Sequence, residues 1–381
     1  MRRIERWLKR KEPVWIAGNT VEILRNGAQI FSEMLQAIEK ATETIHLEMY
    51  IFRSDQTGWR FADALAKKAT EGVVVKLIYD SLGSLTSSEE MFLTMEKAGV
   101  EIFEYHPIAP WNPGWRLRKR DHRKILVVDG RCGFVGGINI GDEYTASDDG
   151  GEGWRDTHIK LGGPAVRELQ QIFLATWAKN KKAKSTPHPS YYPDLPPVGD
   201  LPVSLVASQG MKGKNQIKQA YLDAIRGAQE RICITNSYFV PPPSVLREIK
   251  LAARRGVQIF ILVPQKSDVP LIDYACRALY TKLLRWGVRI FEWERSILHA
   301  KTAVIDGHWS TVGSYNMDQL SFAYNLEVNV VVKGKGFGKE MEAMFREDLK
   351  QSREVLAQEW TQRNLFQKIL ENTSYYILAW F

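Results

Sequence analysis

One pattern occurs twice in this chain, and that repeat limits what it can fold into. Residues 122–129 read His-Arg-Lys-Ile-Leu-Val-Val-Asp, and residues 299–306 read His-Ala-Lys-Thr-Ala-Val-Ile-Asp. Each copy is His-x-Lys, four intervening residues and Asp. Asn139 or Asn316 follows ten positions beyond that Asp, after Gly136-Gly137 or Gly313-Ser314. Chance recurrence of five matched positions is improbable. The duplication also extends beyond the motif. Leu35-Gln-Ala-Ile38 matches Leu222-Asp-Ala-Ile225, and the apolar run 45–52 matches 232–239. Ala66 through Gly72 matches Ala252 through Gly256, each a helix end with a glycine cap before an apolar strand. Residues 98–105 match 286–293. Alternating helix and strand predicts an α/β fold. The repeat predicts two halves related by a pseudo-two-fold axis, with one active site at their interface.

The residue types suit phosphodiester chemistry. On an extended strand His122 and Lys124 point to one face, as do His299 and Lys301. If the halves meet, the site holds two imidazoles, two ammonium groups and two amides around a tetrahedral phosphate. One imidazole attacks and the other moves a proton near neutral pH. Lys124, Lys301, Asn139 and Asn316 can stabilise charge on the non-bridging oxygens. The scheme uses no metal and no cofactor. Asp129 and Asp306 are site candidates through the motif. Each also precedes a glycine between two apolar runs, a hairpin signal that favours a structural role.

These residues resemble the repeated motif of the phospholipase D superfamily. More closely, the chain is similar to bacterial cardiolipin synthases of the short type without transmembrane helices. The likeness is carried by residues 122–129 with Gly136 through Asn139, by Leu298 through Lys301, and by Trp309 through Asp318 and Leu320 through Glu327. It implies a two-fold α/β/α architecture and a covalent phosphohistidine formed without a metal. It also implies an acidic residue behind each histidine, for which Glu327 and Asp156 are the candidates. By analogy, His122 is the nucleophile and His299 the acid and base. Gly137 departs from the pattern where the second half has Ser314, so the halves are expected to be inequivalent. The implied product is cardiolipin, made from phosphatidylglycerol and a second phospholipid. Whether the donor is phosphatidylglycerol or phosphatidylethanolamine stays open.

The net charge of +8 favours a polyanionic partner, either an anionic phospholipid membrane or nucleic acid. Basic residues cluster with tryptophans rather than in a nucleic-acid module, which disfavours a nucleic-acid phosphodiesterase. A phospholipid hydrolase shares the same intermediate and is the nearer alternative. No apolar run approaches the roughly 18 residues that span a bilayer. With the resemblance, this implies a peripheral location on the cytoplasmic face of the bacterial inner membrane. Three scattered cysteines fit neither a disulfide framework nor a zinc site.

The expected organisation has five parts. Residues 1–20 form a basic segment with Ile4, Trp7 and Leu8 on one helical face. Residues 21–178 form the first half, 179–202 a Lys- and Pro-rich linker, 203–350 the second half, and 351–381 an amphipathic, apolar tail. The tail either inserts at an interface or docks onto the core. The largest asymmetry between halves is residues 106–121. There Trp111, Trp115, Arg116, Arg118, Lys119 and Arg120 approach His122 and read as a lipid entrance. The basic segment 209–215 offers backbone amides and lysines to a phosphate, and reads more readily as a solvated turn.

Overall fold

The computed structural model describes residues 14–109, 111, 119–180, 191–209 and 215–380. The first half contains β1 (Ile16–Arg25), α1 (Asn26–Glu39), β2 (Thr44–Met49), α2 (Gln56–Thr70), β3 (Val74–Asp80), α3 (Glu89–Lys97) and β4 (Glu101–Tyr105). It continues through β5 (Ile125–Val128), β6 (Cys132–Gly136), β7 (Thr157–Gly162) and α4 (Val166–Trp177). The second half repeats the series: β8 (Leu201–Gln209), α5 (Gln216–Gly227), β9 (Arg231–Asn236), α6 (Pro243–Arg254), β10 (Gln258–Pro264), α7 (Pro270–Arg285) and β11 (Arg289–Trp293). Then come β12 (Lys301–Ile305), β13 (Trp309–Gly313), α8 (Gln319–Ala323), β14 (Leu326–Lys333) and α9 (Lys335–Leu349). β15 (Ser352–Glu354), α10 (Ala357–Thr361) and α11 (Leu365–Trp380) follow.

All the strands join one sheet, in the order β15-β11-β10-β9-β12-β13-β14-β8-β1-β7-β6-β5-β2-β3-β4. Read outward from the central β8–β1 pair, the two sides carry matched strands in the same order, and among the described residues β15 is the one addition. β1 and β8 pair antiparallel, as a local two-fold axis between them requires. This is the two-half architecture expected from the repeat. β2 and β12 are buried along their whole length, because helices cover both faces of the sheet. One core cluster crosses the seam. It joins Ile125, Val135 and Ile159 to Leu205, Val304 and Val328.

The boundaries differ from the expected ones where tertiary contacts recruit chain that looks irregular. β1 begins at Ile16, inside the segment read as a separate N-terminus. The end of the linker runs along β1, with Val198 N–H donating to Gly18 O at 2.9 Å. β15 extends the second half's sheet by pairing with β11. Ile4, Trp7 and Leu8 lie outside the described residues.

Candidate active site

β5 runs antiparallel to β2, and β12 antiparallel to β9. The residues entering β5 and β12 therefore lie at the carboxyl ends of the parallel strands. His122 and His299 stand just before these strands, on opposite sides of the seam. Two short bridges lock them there. Asp121 pairs with Leu326, and Arg155 with Leu298. His122 N–H donates to Leu326 O at 3.0 Å, and His299 N–H to Arg155 O at 2.8 Å. Each bridge joins the residue before a histidine to the residue before the other half's acid.

The side chains cross over in the same way. His122 Nδ1 lies 3.0 Å from both Glu327 carboxylate oxygens, and His299 Nδ1 lies 2.8 Å from Asp156 Oδ2. With Nδ1–H donating to the acid, Nε2 of each ring is left as the reactive nitrogen. Both acids are fully buried. Which acid serves which histidine cannot be read from spacing, because each acid follows the histidine of its own half and serves the other.

The Gly137/Ser314 difference has a steric cause. A Cβ at Gly137 would meet Asp156 Oδ1 at 2.3 Å. In the second half, Ser314 Oγ donates to Glu327 Oε2 at 2.5 Å. The shorter acid thus packs against a glycine, and the longer acid is held by a hydroxyl.

Electrostatics separate the two pairs. Burial, with Lys124 and Lys301 nearby, pushes the His122 imidazole well below its ordinary range, so the ring is neutral. Burial raises Glu327 to about 7. Burial opposes ionisation of Asp156 too, but the hydrogen bond and charge of His299 outweigh it and hold the carboxyl low. Burial, with Lys301 nearby, also pushes the His299 imidazole below its ordinary range, and the ionised Asp156 carboxylate opposes that by favouring a proton on the ring. Burial lowers Lys124 to about 7 and Lys301 to about 8. Lys124 Nζ donates to His122 O at 2.8 Å, and Lys301 Nζ donates to His299 O.

The asparagines hold neighbours. Asn139 Nδ2 donates to Tyr144 Oη at 2.9 Å, and that oxygen lies 3.3 Å from His299 Nδ1. Asn316 Oδ1 accepts from Ser237 Oγ at 2.9 Å.

The motif aspartates are corrected as catalytic candidates. Asp129 and Asp306 sit at the far ends of β5 and β12 from the histidines. The Asp129 carboxylate accepts backbone N–H from Thr42, Glu43 and Thr44, and Asp306 accepts those of Gln229, Glu230 and Arg231. Both have positive φ, 52° and 50°, as do Gly130 and Gly307 after them. This is the left-handed turn that Asp-Gly favours.

Sequence reasoning missed the aromatic walls and the buried arginines. The Tyr50 ring lies 4.8 Å from that of His122, and Trp154 lies 5.8 Å from His299. Tyr50 falls in the duplicated strand segment, but its counterpart is Ser237, so the repeat hid it. Arg155 donates to both carboxylate oxygens of Asp348, at 3.0 and 2.7 Å, and this ties β7 to α9.

Comparison with known proteins identifies the family. A model described as "Cardiolipin synthase, PLD-like domain" matches residues 34–177 and 221–349. The chain belongs to this cardiolipin synthase family of phospholipase D-like enzymes. It is 35% identical over 364 residues to the major cardiolipin synthase ClsA of Bacillus subtilis (strain 168), covering 95% of this chain and 75% of that protein. It is 38% identical over 366 residues to a cardiolipin synthase of Geobacillus sp. (strain WCH70), covering 96% and 72%. The fold matches phosphatidylserine synthase of Haemophilus influenzae Rd KW20, with a TM-score of 0.72, 14% identity and 99% of both chains covered.

For this family member, the expected lipid entrance divides. Trp111 is 81% exposed, and Lys119 is exposed. Arg120 is buried instead. Its Nη1 lies 3.6 Å from Asp80 Oδ1 and donates to His106 O, because a desolvated guanidinium needs a carboxylate beside it. Of the expected entrance residues, Arg120 is thus held inside the fold. Trp115, Arg116 and Arg118 lie outside the described residues. Among the described residues no helix is long and apolar enough to cross a membrane.

Proposed function

We propose that this chain transfers a phosphatidyl group to phosphatidylglycerol to make cardiolipin, through a phosphohistidine on His122. The observation that carries this reading is the crossed pair of histidines, each with a carboxylate at Nδ1 and a buried lysine within two residues. Family membership supports the phosphatidyltransferase class.

His122 Nε2 attacks the phosphorus of the donor lipid. The P–N bond forms as the bond to the leaving alcohol breaks, and His299 gives that oxygen its proton. Neutral His299 then takes the proton from the acceptor hydroxyl. The acceptor oxygen attacks phosphorus, and the P–N bond breaks. With phosphatidylglycerol as donor the products are cardiolipin and glycerol; with phosphatidylethanolamine the alcohol is ethanolamine. Burial lowers both rings, His122 further; neutral His122 suits the nucleophile, and Asp156 at His299 Nδ1 supports the protonated ring that an acid needs. Lys124 and Lys301 offset the charge developing on phosphate oxygens. The scheme needs no metal. The enzyme works as a peripheral protein on the cytoplasmic face of an anionic bacterial membrane.

The test is lipid mass spectrometry after adding pure protein to phosphatidylglycerol vesicles with EDTA, beside His122→Ala and His299→Ala. Cardiolipin with free glycerol, lost in both variants, is expected. Phosphatidic acid in its place would make the protein a hydrolase. A phosphate label trapped on His299 would reverse the two histidine roles.

A further inference from the structure

Helix α11 buries two polar residues and leaves several large apolar ones exposed. Glu371 and Ser374 are buried, with Glu371 accepting from Arg363. Leu365, Phe366, Ile369, Tyr376 and Ile377 are exposed, Phe366 to 74%. Exposed Asn372 and Thr373 divide these into a group at the start of the helix and a pair near its end. Large apolar side chains left in water are unfavourable and mark a surface that something covers.

The direction of α11 shows where the pair lies. At one end Arg363 Nη2 donates to Thr281 Oγ1 at 3.2 Å, and the Trp360 ring lies 4.7 Å from that of Tyr280. At the other, Tyr375 and Leu378 pack with Val240, Ile272 and Tyr238. α11 thus runs antiparallel to α7 and ends beside Tyr238, whose ring lies 6.5 Å from that of His299. Tyr376 and Ile377 therefore lie at the end of the sheet that carries His299, on the rim beside Tyr238. Val269 and Leu271, between β10 and the first turn of α7, are exposed there, as is Leu320 after Asn316. Lys119, Lys266 and Arg295 are exposed on loops at this same end of the sheet. Two exposed acids stand beside them: Asp268 accepts from Tyr238 Oη, and Glu294 accepts from Gln265 Nε2 and lies 3.5 Å from Arg353 Nε.

We infer that this rim is a lipid-docking surface. Tyr376, Ile377, Val269, Leu271 and Leu320 enter the boundary between headgroups and acyl chains of an anionic bilayer, and Lys119, Lys266 and Arg295 engage its phosphates. Apolar side chains ringed by cations are what such a boundary selects. The inference rests on the phospholipid reading above and deepens it: the second half, through α11, grips the membrane at the mouth of the site.

The test compares wild type with Leu271→Ser/Tyr376→Ser/Ile377→Ser and with Leu365→Ser/Phe366→Ser/Ile369→Ser. Three readouts are used: co-sedimentation with phosphatidylglycerol vesicles, turnover of monomeric short-chain phosphatidylglycerol, and sedimentation velocity. The rim variant is expected to lose about tenfold or more in vesicle binding while keeping short-chain turnover. Wild-type vesicle binding in the rim variant would overturn the inference. So would a dimer that only the Leu365 set dissolves, with vesicle binding unmoved, because a second copy would then cover that group. Absence of short-chain turnover in wild type sinks the phospholipid reading, and the binding arm still judges the rim. Should the triple variant misfold, Ile377→Cys carrying an environment-sensitive dye serves instead. A blue shift on adding vesicles is expected, and no shift would overturn the inference.

Discussion

At residue scale, the chemistry depends on a few groups made useful by burial. Neutral His122 places the acid limb of kcat/KM well below pH 6.5. Lys124 and Lys301 lose their charge as pH rises through about 7 and 8, so phosphate binding weakens in that window. A profile of kcat/KM against pH should therefore already fall on the alkaline side as His299, held below the ordinary histidine value of 6.5, loses its proton, and fall further between about 7 and 8. An acid limb at an ordinary histidine value would contradict this. Gly137→Ser is expected to displace Asp156 from His299, since its Cβ would sit 2.3 Å from the carboxylate. We expect a loss of about 10² or more in kcat, the range typical of a misplaced general acid. Steady-state kinetics on vesicles would check this, and an unchanged kcat would show that Asp156 does not orient His299.

At element scale, the two copies of the motif each mark a turn and a strand entry. The aspartates fasten the turns at the far ends of β5 and β12. Asp129→Ala removes the acceptor for three backbone amides and should cost about 2 kcal/mol or more of stability. Urea denaturation measures this, and kcat of the remaining folded protein should change little. Asp348→Ala leaves the Arg155 guanidinium buried without its carboxylate. A cost of about 3–5 kcal/mol is expected. It should be accompanied by lost activity, because Arg155 O holds the His299 backbone. A midpoint shift equivalent to under about 1 kcal/mol would show that α9 is not needed to brace the site.

At the scale of the whole molecule, neither half contains a complete catalytic pair. His122 takes its acid from the second half, and His299 takes its acid from the first. Arg123 strengthens the joint by donating to Glu327 O and Ser208 O across the seam. Residues 14–180 and 191–380 made as separate chains should each be inactive. Mixing them should restore turnover in proportion to the complex formed, as read by size-exclusion chromatography. Activity in either piece alone would contradict the crossed arrangement.

Much of this was legible in the sequence because duplication is a statement about order along the chain. The matched segments marked several strands and helices of each half, the pseudo-two-fold halves, both histidines and lysines, and the hairpin role of Asp129 and Asp306. Glu327 and Asp156 were placed through family resemblance. Partnerships across the seam were not legible, since residues such as His122 and Glu327 are 205 positions apart and adjacency there comes from the pairing of β1 with β8. The burial of Arg120 was hidden for the same reason: a cation in a basic run looks solvated until Asp80 is folded against it. The apolar tail was visible, but not which way it faces. That was decided by Glu371 and Ser374 packing inward in α11 and leaving Tyr376 and Ile377 outward. Periodicity along a chain determines which elements form and which chemistry they carry; desolvation and pairing between distant segments determine which groups are neutral, which are held, and which remain exposed.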